Sequence, residues 1–239
     1  MSKSTIAIEV ILGSLACMSC TFWLCPAGYG QAPTVRSEEV REFEILVNGK
    51  TAGTSTTIIT EGDNGIATAC TDAFVTLNYF VYAYRYEFHG REVWQDNHLV
   101  SVENRAVDDG TQLATHARSD LHGSVIDTQG KVSVAGPVIS MTTSYWRAPE
   151  GQKGGTLKVL DADQGTVHTL RIDEIALEHL VITGNQLECT HFRLSGDLVA
   201  NLWFDDRHRL VRQQTTEDGH PVELRLSRIE TKTAPSRRP

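Results

Sequence analysis

Residues 80–88 (FVYAYRYEF) carry an aromatic side chain at every even position. Successive side chains of a β-strand point to opposite faces, so this alternation predicts one strand with an aromatic face and a second face of small or charged side chains. The aromatic face consists of Phe80, Tyr82, Tyr84, Tyr86 and Phe88. Such a face forms part of a hydrophobic core or lines an apolar ligand site, and the core is the commoner case. Tyrosine in place of leucine favours the ligand site, because tyrosine adds a hydroxyl group to the ring.

Turn signals separate short runs of strand-forming residues along the rest of the chain. Asn48-Gly49 is typical of a two-residue hairpin turn, and Asp108-Asp109-Gly110 marks another turn. Strands at this spacing predict an antiparallel meander. We also predict a tight turn at His89-Gly90-Arg91. The segment 140–155 breaks the strand pattern, with one helical turn over 142–147, and is expected to be a lid or a crossing loop.

The N-terminal residues follow the order of a secretory signal peptide. Lys3 precedes a mostly apolar run over 6–24, and small residues follow up to Gly30-Gln31-Ala32. Residues 1–32 are therefore predicted to be a cleaved signal peptide. Cleavage after Ala27 and an uncleaved N-terminal anchor are the alternatives. In each case we expect an exported protein of the periplasm or the cell envelope.

The rest of the chain is predicted to form a single all-β domain over 43–230. Residues 34–42 are polar and charged, which predicts a linker or a frayed short helix. Residues 231–239 (TKTAPSRRP) are predicted to be a disordered tail.

The formal net charge of the chain is −8. An acidic chain is repelled by phosphate backbones and by anionic lipid, so the charge argues against a nucleic-acid partner. Contact with a membrane is expected only through an uncleaved N-terminus. The sequence does not predict an oligomeric state.

Two cysteines, Cys70 and Cys189, lie beyond the N-terminal segment. A disulfide between them is possible in an oxidising compartment. Two buried free thiols are the alternative, and we favour it.

Motifs of catalysis, metal binding and cofactor binding are missing beyond the N-terminal segment. The nine histidines are scattered, without an HExxH pattern, and there is no GxSxG elbow or glycine-rich phosphate loop. We therefore predict no metal site, no cofactor and a protein that is not an enzyme.

Three tryptophans join the aromatic face as candidate ligand-binding residues: Trp94, Trp146 and Trp203. The even positions of the predicted strand 198–204 are uniformly apolar and are predicted to be core. Trp203 is then on the other face, either packed at a sheet edge or accessible to a ligand or a partner.

Several blocks of residues follow one another in the order seen in a known family. They are Tyr82-x-Tyr84-Arg85-Tyr86, Glu92-Val93-Trp94, His98-Leu99-Val100-Ser101, Asp108-Asp109-Gly110, Thr143-Ser144-Tyr145-Trp146, Leu194-Ser195-Gly196-Asp197-Leu198, Leu202-Trp203-Phe204-Asp205 and Leu210-Val211. These blocks resemble a family of bacterial exported proteins of unknown function (domain-of-unknown-function family number 6134). The resemblance extends over residues 43–230.

The family resemblance brings with it a distant similarity of fold to periplasmic lipoprotein-carrier-like half-barrels. It implies a strongly curved antiparallel sheet that forms an incomplete barrel around an apolar hollow, within an all-β fold with at most one or two short helices. The predicted function is that of an exported non-enzymatic protein that binds a lipid or another apolar ligand in this hollow. The alternative is a structural or protein-interaction module of the cell envelope.

Overall fold

The structure is a computed structural model that describes residues 35–62, 64–79, 82–120, 122–136, 139–149 and 154–233. These residues form fifteen strands in one sheet, and no helix occurs among them, so the predicted all-β class is confirmed. The strands are β1 Val35–Val47, β2 Lys50–Gly62, β3 Ile66–Tyr79, β4 Tyr82–Gln95, β5 His98–Asp108, β6 Thr111–Asp120, β7 Gly123–Thr128, β8 Lys131–Ala135, β9 Met141–Thr142, β10 Gly154–Leu160, β11 Val167–Ile182, β12 Asn185–Gly196, β13 Ala200–Asp205, β14 Leu210–Glu217 and β15 His220–Thr233.

The sheet is two meanders joined in the middle. Its order is β8-β7-β6-β5-β4-β3-β2-β1-β15-β14-β13-β12-β11-β10-β9, so the first and the last strands are neighbours at the centre. Their register places Phe43 opposite Leu226. All adjacent pairs are antiparallel except β9 and β10, which are parallel. Strands β8 and β9 are the two edges of the sheet.

The sheet curls until its two outer parts contact each other. Trp94 of β4, Val102 of β5 and Ile126 of β7 share a hydrophobic cluster with Leu160 of β10, although β4 and β10 lie in different halves of the strand order. The halves meet here through side chains and not through a backbone ladder. The predicted incomplete barrel, a curved sheet that is not closed, is therefore confirmed.

The turn between β10 and β11, residues 161–165, adds polar contacts between the halves; we call it the docking turn. Asn104 of β5 donates its Nδ2–H to the Ala162 carbonyl over 2.9 Å. Thr115 of β6 donates its hydroxyl to the Asp163 carbonyl over 3.1 Å. Both donors are buried, so each bond also satisfies a polar group that water cannot reach.

The aromatic stretch was predicted as one strand over residues 80–88. Strand β3 ends at Tyr79 and β4 begins at Tyr82, and these two residues are paired in the ladder between the two strands. Residues 82–88 all belong to β4, in agreement with the prediction. Phe80 and Val81 lie outside the described residues.

The predicted turn at His89-Gly90-Arg91 is wrong, because β4 continues through these residues to Gln95. Gly90 fits this strand because it lacks a side chain. A Cβ atom at this position would lie 2.6 Å from Cζ of Phe88 and 2.7 Å from Oδ1 of Asn104. The glycine therefore provides room for a neighbouring ring and does not mark a turn.

Two further local predictions are corrected. Residues 35–42, predicted as linker or frayed helix, belong to β1, because each pairs with β2 or β15 except at bulges. The helical turn over 142–147 is absent; Met141–Thr142 form β9 and Thr143-Ser144 form a turn. At the C-terminus, β15 extends to Thr233.

The remaining predictions concern the two ends of the chain and the two cysteines. The signal peptide or anchor at 1–32 and residues 234–239 of the tail lie outside the described residues. Cys70 and Cys189 are free thiols in the structure, but only Cys189 is buried, and Cys70 is half-buried. Burial raises the pKa of both thiols, that of Cys189 to about 11. Within the described ranges, no helix is long and apolar enough to cross a membrane.

Candidate functional site

A buried carboxylate, Glu92, organises the candidate site. Glu92 and Trp94 are two residues apart on β4 and therefore share a face. The Trp94 indole donates to Glu92 Oε2 over 2.9 Å, and the Trp146 indole donates to the same atom over 3.2 Å. Thr142 and Ser144 each donate a hydroxyl to Oε1 over 2.7 Å. The side chain thus accepts four hydrogen bonds, which matches the acceptor capacity of a carboxylate.

The segment 139–149 brings its share of these donors to β4. Tyr145 lies in the left-handed region with φ of 45°, which is uncommon for a bulky residue, and it is 3% exposed. Before Tyr145, Thr143 donates its N–H to the Leu160 carbonyl over 3.0 Å. After it, buried Arg41 of β1 donates to the Trp146 carbonyl, and Ala148 donates its N–H to the His208 carbonyl over 3.0 Å. The segment is therefore fixed on both sides of Tyr145.

Arg147 lies over both indole rings of the site. Its Cζ is 5.1 Å from the centre of the Trp94 ring and 4.9 Å from that of Trp146, and the two rings meet edge to face. These distances are those of cation–π contacts. Arg147 also donates to Oδ1 of Asn97 over 2.7 Å. The guanidinium is thus positioned at the surface of a cluster whose buried end is the Glu92 carboxylate.

A half-open cavity of about 150 Å³ lies beside this cluster. Of the described residues that line it, Arg147 alone is charged. The lining residues are Trp94, Asn97, Ser140, Met141, Thr142, Tyr145, Trp146, Arg147, Ala148 and Pro149. The cavity therefore combines two indoles and a thioether with one cationic group, which suits a small ligand with an apolar body and an acceptor or negative charge.

A second polar network fixes the strands below the segment. Arg41 pairs with Glu39 over 2.6 Å, and Arg209 pairs with Asp205 over 2.6 Å and with Glu39 over 3.4 Å. Burial lowers the pKa of Arg41, an effect that Glu39 partly opposes. Each carboxylate in the network has a guanidinium partner, so its role is to hold β1 and the β13–β14 turn together.

Among the described residues of the predicted aromatic face, Tyr84, Tyr86 and Phe88 do not line the cavity beside Trp94 and Trp146. Phe88 is buried against Ala106 and Ala162. Tyr86 donates its hydroxyl to the Asp163 carboxylate of the docking turn. The side chains of Phe80 and Tyr82 lie outside the described residues, and Tyr84 is half-buried.

The Tyr86–Asp163 contact shifts the pKa of both groups. Burial, followed by the Asp163 charge, raises the pKa of Tyr86. Burial raises the pKa of Asp163 to about 6, with Asp161, Asp108 and Glu217 adding to the increase and the Tyr86 hydrogen bond opposing it. Tyr86 and Phe88 of the aromatic face therefore contact the docking turn and help to hold it in place.

Trp203 is separate from Trp94 and Trp146. It is 5% exposed, stacks on the His191 ring at 4.2 Å and has the Arg212 guanidinium 4.9 Å from its centre. Its indole donates to Glu178 over 2.9 Å. The even positions of β13 are buried, as predicted, which leaves Trp203 on the opposite face, covered by its neighbours.

Of the predicted site residues, the structure brings Trp94 and Trp146 together. It adds residues to this site that the sequence did not indicate. Glu92, Thr142, Ser144 and Arg147 come from positions up to 55 apart. The available signal was indirect: Glu92, Ser144 and both tryptophans fall in blocks of the family resemblance. Among the described residues, no group of three or more histidines, cysteines or carboxylates is placed to hold a metal ion.

The fold and this site define an all-β, barrel-like protein with a small cavity beside a buried carboxylate. Residues 43–227 match the model of a family described as a domain of unknown function (DUF6134), and the chain belongs to this family. No curated protein matches the chain.

Two solved structures are similar to the chain at low sequence identity. One is a β-barrel-like protein of the domain of unknown function DUF1849 from Brucella abortus, with 10% identity, a TM-score of 0.59, and coverage of 84% of this chain and 99% of that chain. The other is a putative outer membrane lipoprotein-sorting protein domain from Vibrio parahaemolyticus, with 9% identity, a TM-score of 0.22, and coverage of 84% and 87%. The first similarity supports the barrel-like fold.

Proposed function

We propose that the protein binds a small amphipathic carboxylate in the cavity beside Trp94 and Trp146. The observation that carries this proposal is the position of Arg147, the one charged side chain among the described residues of the cavity, over the two indole rings that line it. A guanidinium is well suited to bind a carboxylate, and the indole rings suit an apolar body.

The volume of the cavity limits the ligand. An apolar cavity of about 150 Å³ holds a molecule the size of benzene. The cavity here has the same volume, so a ring or a short chain fits, and a complete long acyl chain does not. We therefore propose a ligand site beside segment 139–149 in place of one along the aromatic face.

Isothermal titration calorimetry with matched small molecules tests the proposal. Benzoate and hexanoate are expected to bind with Kd of about 1 mM or tighter. Benzyl alcohol and 1-hexanol, which keep the apolar body without the charge, are expected to bind at least about ten times more weakly. If none of the four molecules binds, the proposal is wrong, and the result favours the alternative of a structural or protein-interaction module.

Two variant pairs locate the binding. Arg147→Gln removes the charge and should abolish the preference for the carboxylates, whereas Arg118→Gln, at an exposed position of β6, should not. Ser140→Phe fills the cavity and should prevent binding of all four molecules, whereas Ser133→Phe, exposed on β8, should leave it unchanged. Unaltered binding by both site variants would place the ligand elsewhere.

Export is part of the same proposal and is supported by the charged, apolar and small-residue order of residues 1–32. Cell fractionation should recover the protein outside the cytoplasm, and the intact mass should lack the N-terminal segment if it is cleaved. Recovery in the cytoplasm at full length would contradict export.

A further inference from the structure

A second cavity, of about 310 Å³, lies away from Trp94 and Trp146. Its volume reaches the range of small-molecule sites, about 300–1,000 Å³, whereas the first cavity is smaller. We propose that this second cavity is a binding site for a neutral saccharide. The proposal is independent of carboxylate binding at the first cavity.

The floor of the second cavity is a row of side chains across four neighbouring strands. The register places Asn201 of β13 opposite Gln214 of β14, Gln214 opposite Glu223 of β15, and Glu223 opposite Leu46 of β1. Directly opposed residues of antiparallel strands share a face. All four residues line the cavity, so it has a continuous base of two amides, a carboxylate and an aliphatic side chain.

The charge of this base is compensated from the neighbouring row. Arg212 donates one hydrogen bond to each carboxylate oxygen of Glu223, and each bond is 3.1 Å long. Arg225 donates two further bonds to Oε1, over 3.0 and 2.8 Å. These partners lower the pKa of Glu223 against the opposing effect of its burial. No Lys, Arg or His is among the described residues that line the cavity, and the two guanidiniums next to it are paired with Glu223.

The amide groups have defined orientations. Gln214 must donate its Nε2–H to Glu223 Oε2, 3.1 Å away, because a carboxylate only accepts. Its Oε1 atom has no donor among the described residues and is available as an acceptor. Asn201 is fixed by the contact of its Oδ1 with His191 Nε2 at 3.1 Å. The Thr216 hydroxyl, on the same face of β14 as Gln214, adds a group that both donates and accepts.

The walls of the cavity are connected by hydrogen bonds between hairpins. The Asn48 N–H donates to the Pro221 carbonyl over 2.9 Å, and the Asn48 side chain lies 3.1 Å from His220 Nδ1. These bonds join the β1–β2 turn to the β14–β15 turn, so the walls are formed before a ligand arrives. Val199, 53% exposed, stands at the rim.

This combination matches the chemistry of a sugar ring. Hydroxyl groups both donate and accept, as the two amides and Thr216 require, and the C–H faces of the ring pack on aliphatic side chains such as Leu46 and Val199. An anionic ligand finds no free cation here, and a purely apolar ligand leaves the amides without partners.

Saturation-transfer NMR with maltose, cellobiose and chitobiose at about 10 mM tests the inference. At least one disaccharide is expected to receive saturation from the protein and to bind with Kd of about 1 mM. Absence of transfer to all three overturns the proposal.

Two matched variant pairs then locate the site. Gln214→Leu should weaken binding at least tenfold, whereas Gln213→Leu, on the other face of β14, should not. Val199→Trp should block the cavity, whereas Val181→Trp, at a position 73% exposed on β11, should not. Saccharide binding that survives both Gln214→Leu and Val199→Trp is outside this cavity and also overturns the proposal. If Gln214→Leu does not fold, Val199→Trp decides, because its side chain lies at the rim.

Discussion

Glu92 is a buried carboxylate that accepts four hydrogen bonds from described residues. None of these four donors is a cation. Two of the donors are indoles, which can only donate, and two are hydroxyls, which can rotate to accept. This difference predicts how the site tolerates substitution. The carboxylate can be replaced by a group that keeps an acceptor toward the indoles, but not by an apolar one.

We expect Glu92→Leu to lower the free energy of unfolding by about 3–5 kcal/mol, because it leaves buried donors without partners. Glu92→Gln should cost only about 1–2 kcal/mol, since its carbonyl can face the indoles and its amide N–H groups the hydroxyls. Urea unfolding followed by tryptophan fluorescence measures both. Glu87→Leu, exposed on the same strand, is the control, and an equal loss in the control would contradict the prediction.

Asp163 predicts a pH dependence of opposite sign to that of most carboxylates. Its pKa is raised to about 6 in the folded protein, so the folded state binds the proton more tightly than the unfolded state does. The stability that this group contributes is present below pH 4 and is lost as the pH rises to about 6, by about 3 kcal/mol. Glu217, whose pKa burial raises, acts in the same direction. Glu178 and Glu223, whose pKa values are lowered, act in the opposite direction.

The variant Asp163→Asn should remove this loss, because the amide resembles the protonated acid. The free energy of unfolding, measured from pH 4 to pH 7, should therefore fall less in the variant than in the wild type. Asp206→Asn, in an exposed turn, should leave the slope unchanged. Identical slopes in wild type and Asp163→Asn would show that Asp163 titrates normally.

At the scale of the element, the docking turn depends on one glycine. Gly165 has φ of +66°, and a Cβ atom there would lie 2.0 Å from Thr128 Oγ1 on β7. Gly184, in the β11–β12 turn, has φ of +79° and open space around it. Substitution by alanine should cause similar backbone strain at the two positions, because their φ angles are similar. Only at Gly165 would the added Cβ atom also clash with a neighbouring side chain.

We therefore expect Gly165→Ala to destabilise the protein by about 1–3 kcal/mol more than Gly184→Ala does. Thermal unfolding of the two variants measures the difference. Equal losses would mean that the turn does not contact β7 closely in solution.

The sequence predicted elements well where turn chemistry is local. Asn48-Gly49 and Asp109-Gly110 form turns with positive φ at each residue, as expected from their side chains. The sequence-based prediction failed where the same residue type can have a local or a tertiary reason. Gly90 was predicted to mark a turn, but in the structure it leaves room for the Phe88 ring within a strand. The Glu92 cluster was beyond local reasoning, because its donors Thr142, Ser144 and Trp146 are at least 50 positions away.

At the scale of the whole molecule, stability should fall from the centre of the sheet to its edges. Strands β1 and β15 are paired on both sides, whereas β8 is an edge with Val132 and Val134 exposed by 65% and 77%. Native-state hydrogen exchange should therefore be slowest in β1 and β15 and fastest in β8. Mass spectrometry of peptides from these strands measures the order. Faster exchange in β1 than in β8 would contradict it.

The pairing of β1 with β15 also has a consequence for synthesis. A ribosome produces β1 first, yet one of its edges stays unpaired until β15 has emerged. During this interval the meander β1–β8 has an open edge at β1, which is a template for pairing with other chains. The complete sheet cannot form on a partial chain. The last strand to be synthesised is therefore the one that closes the centre of the sheet.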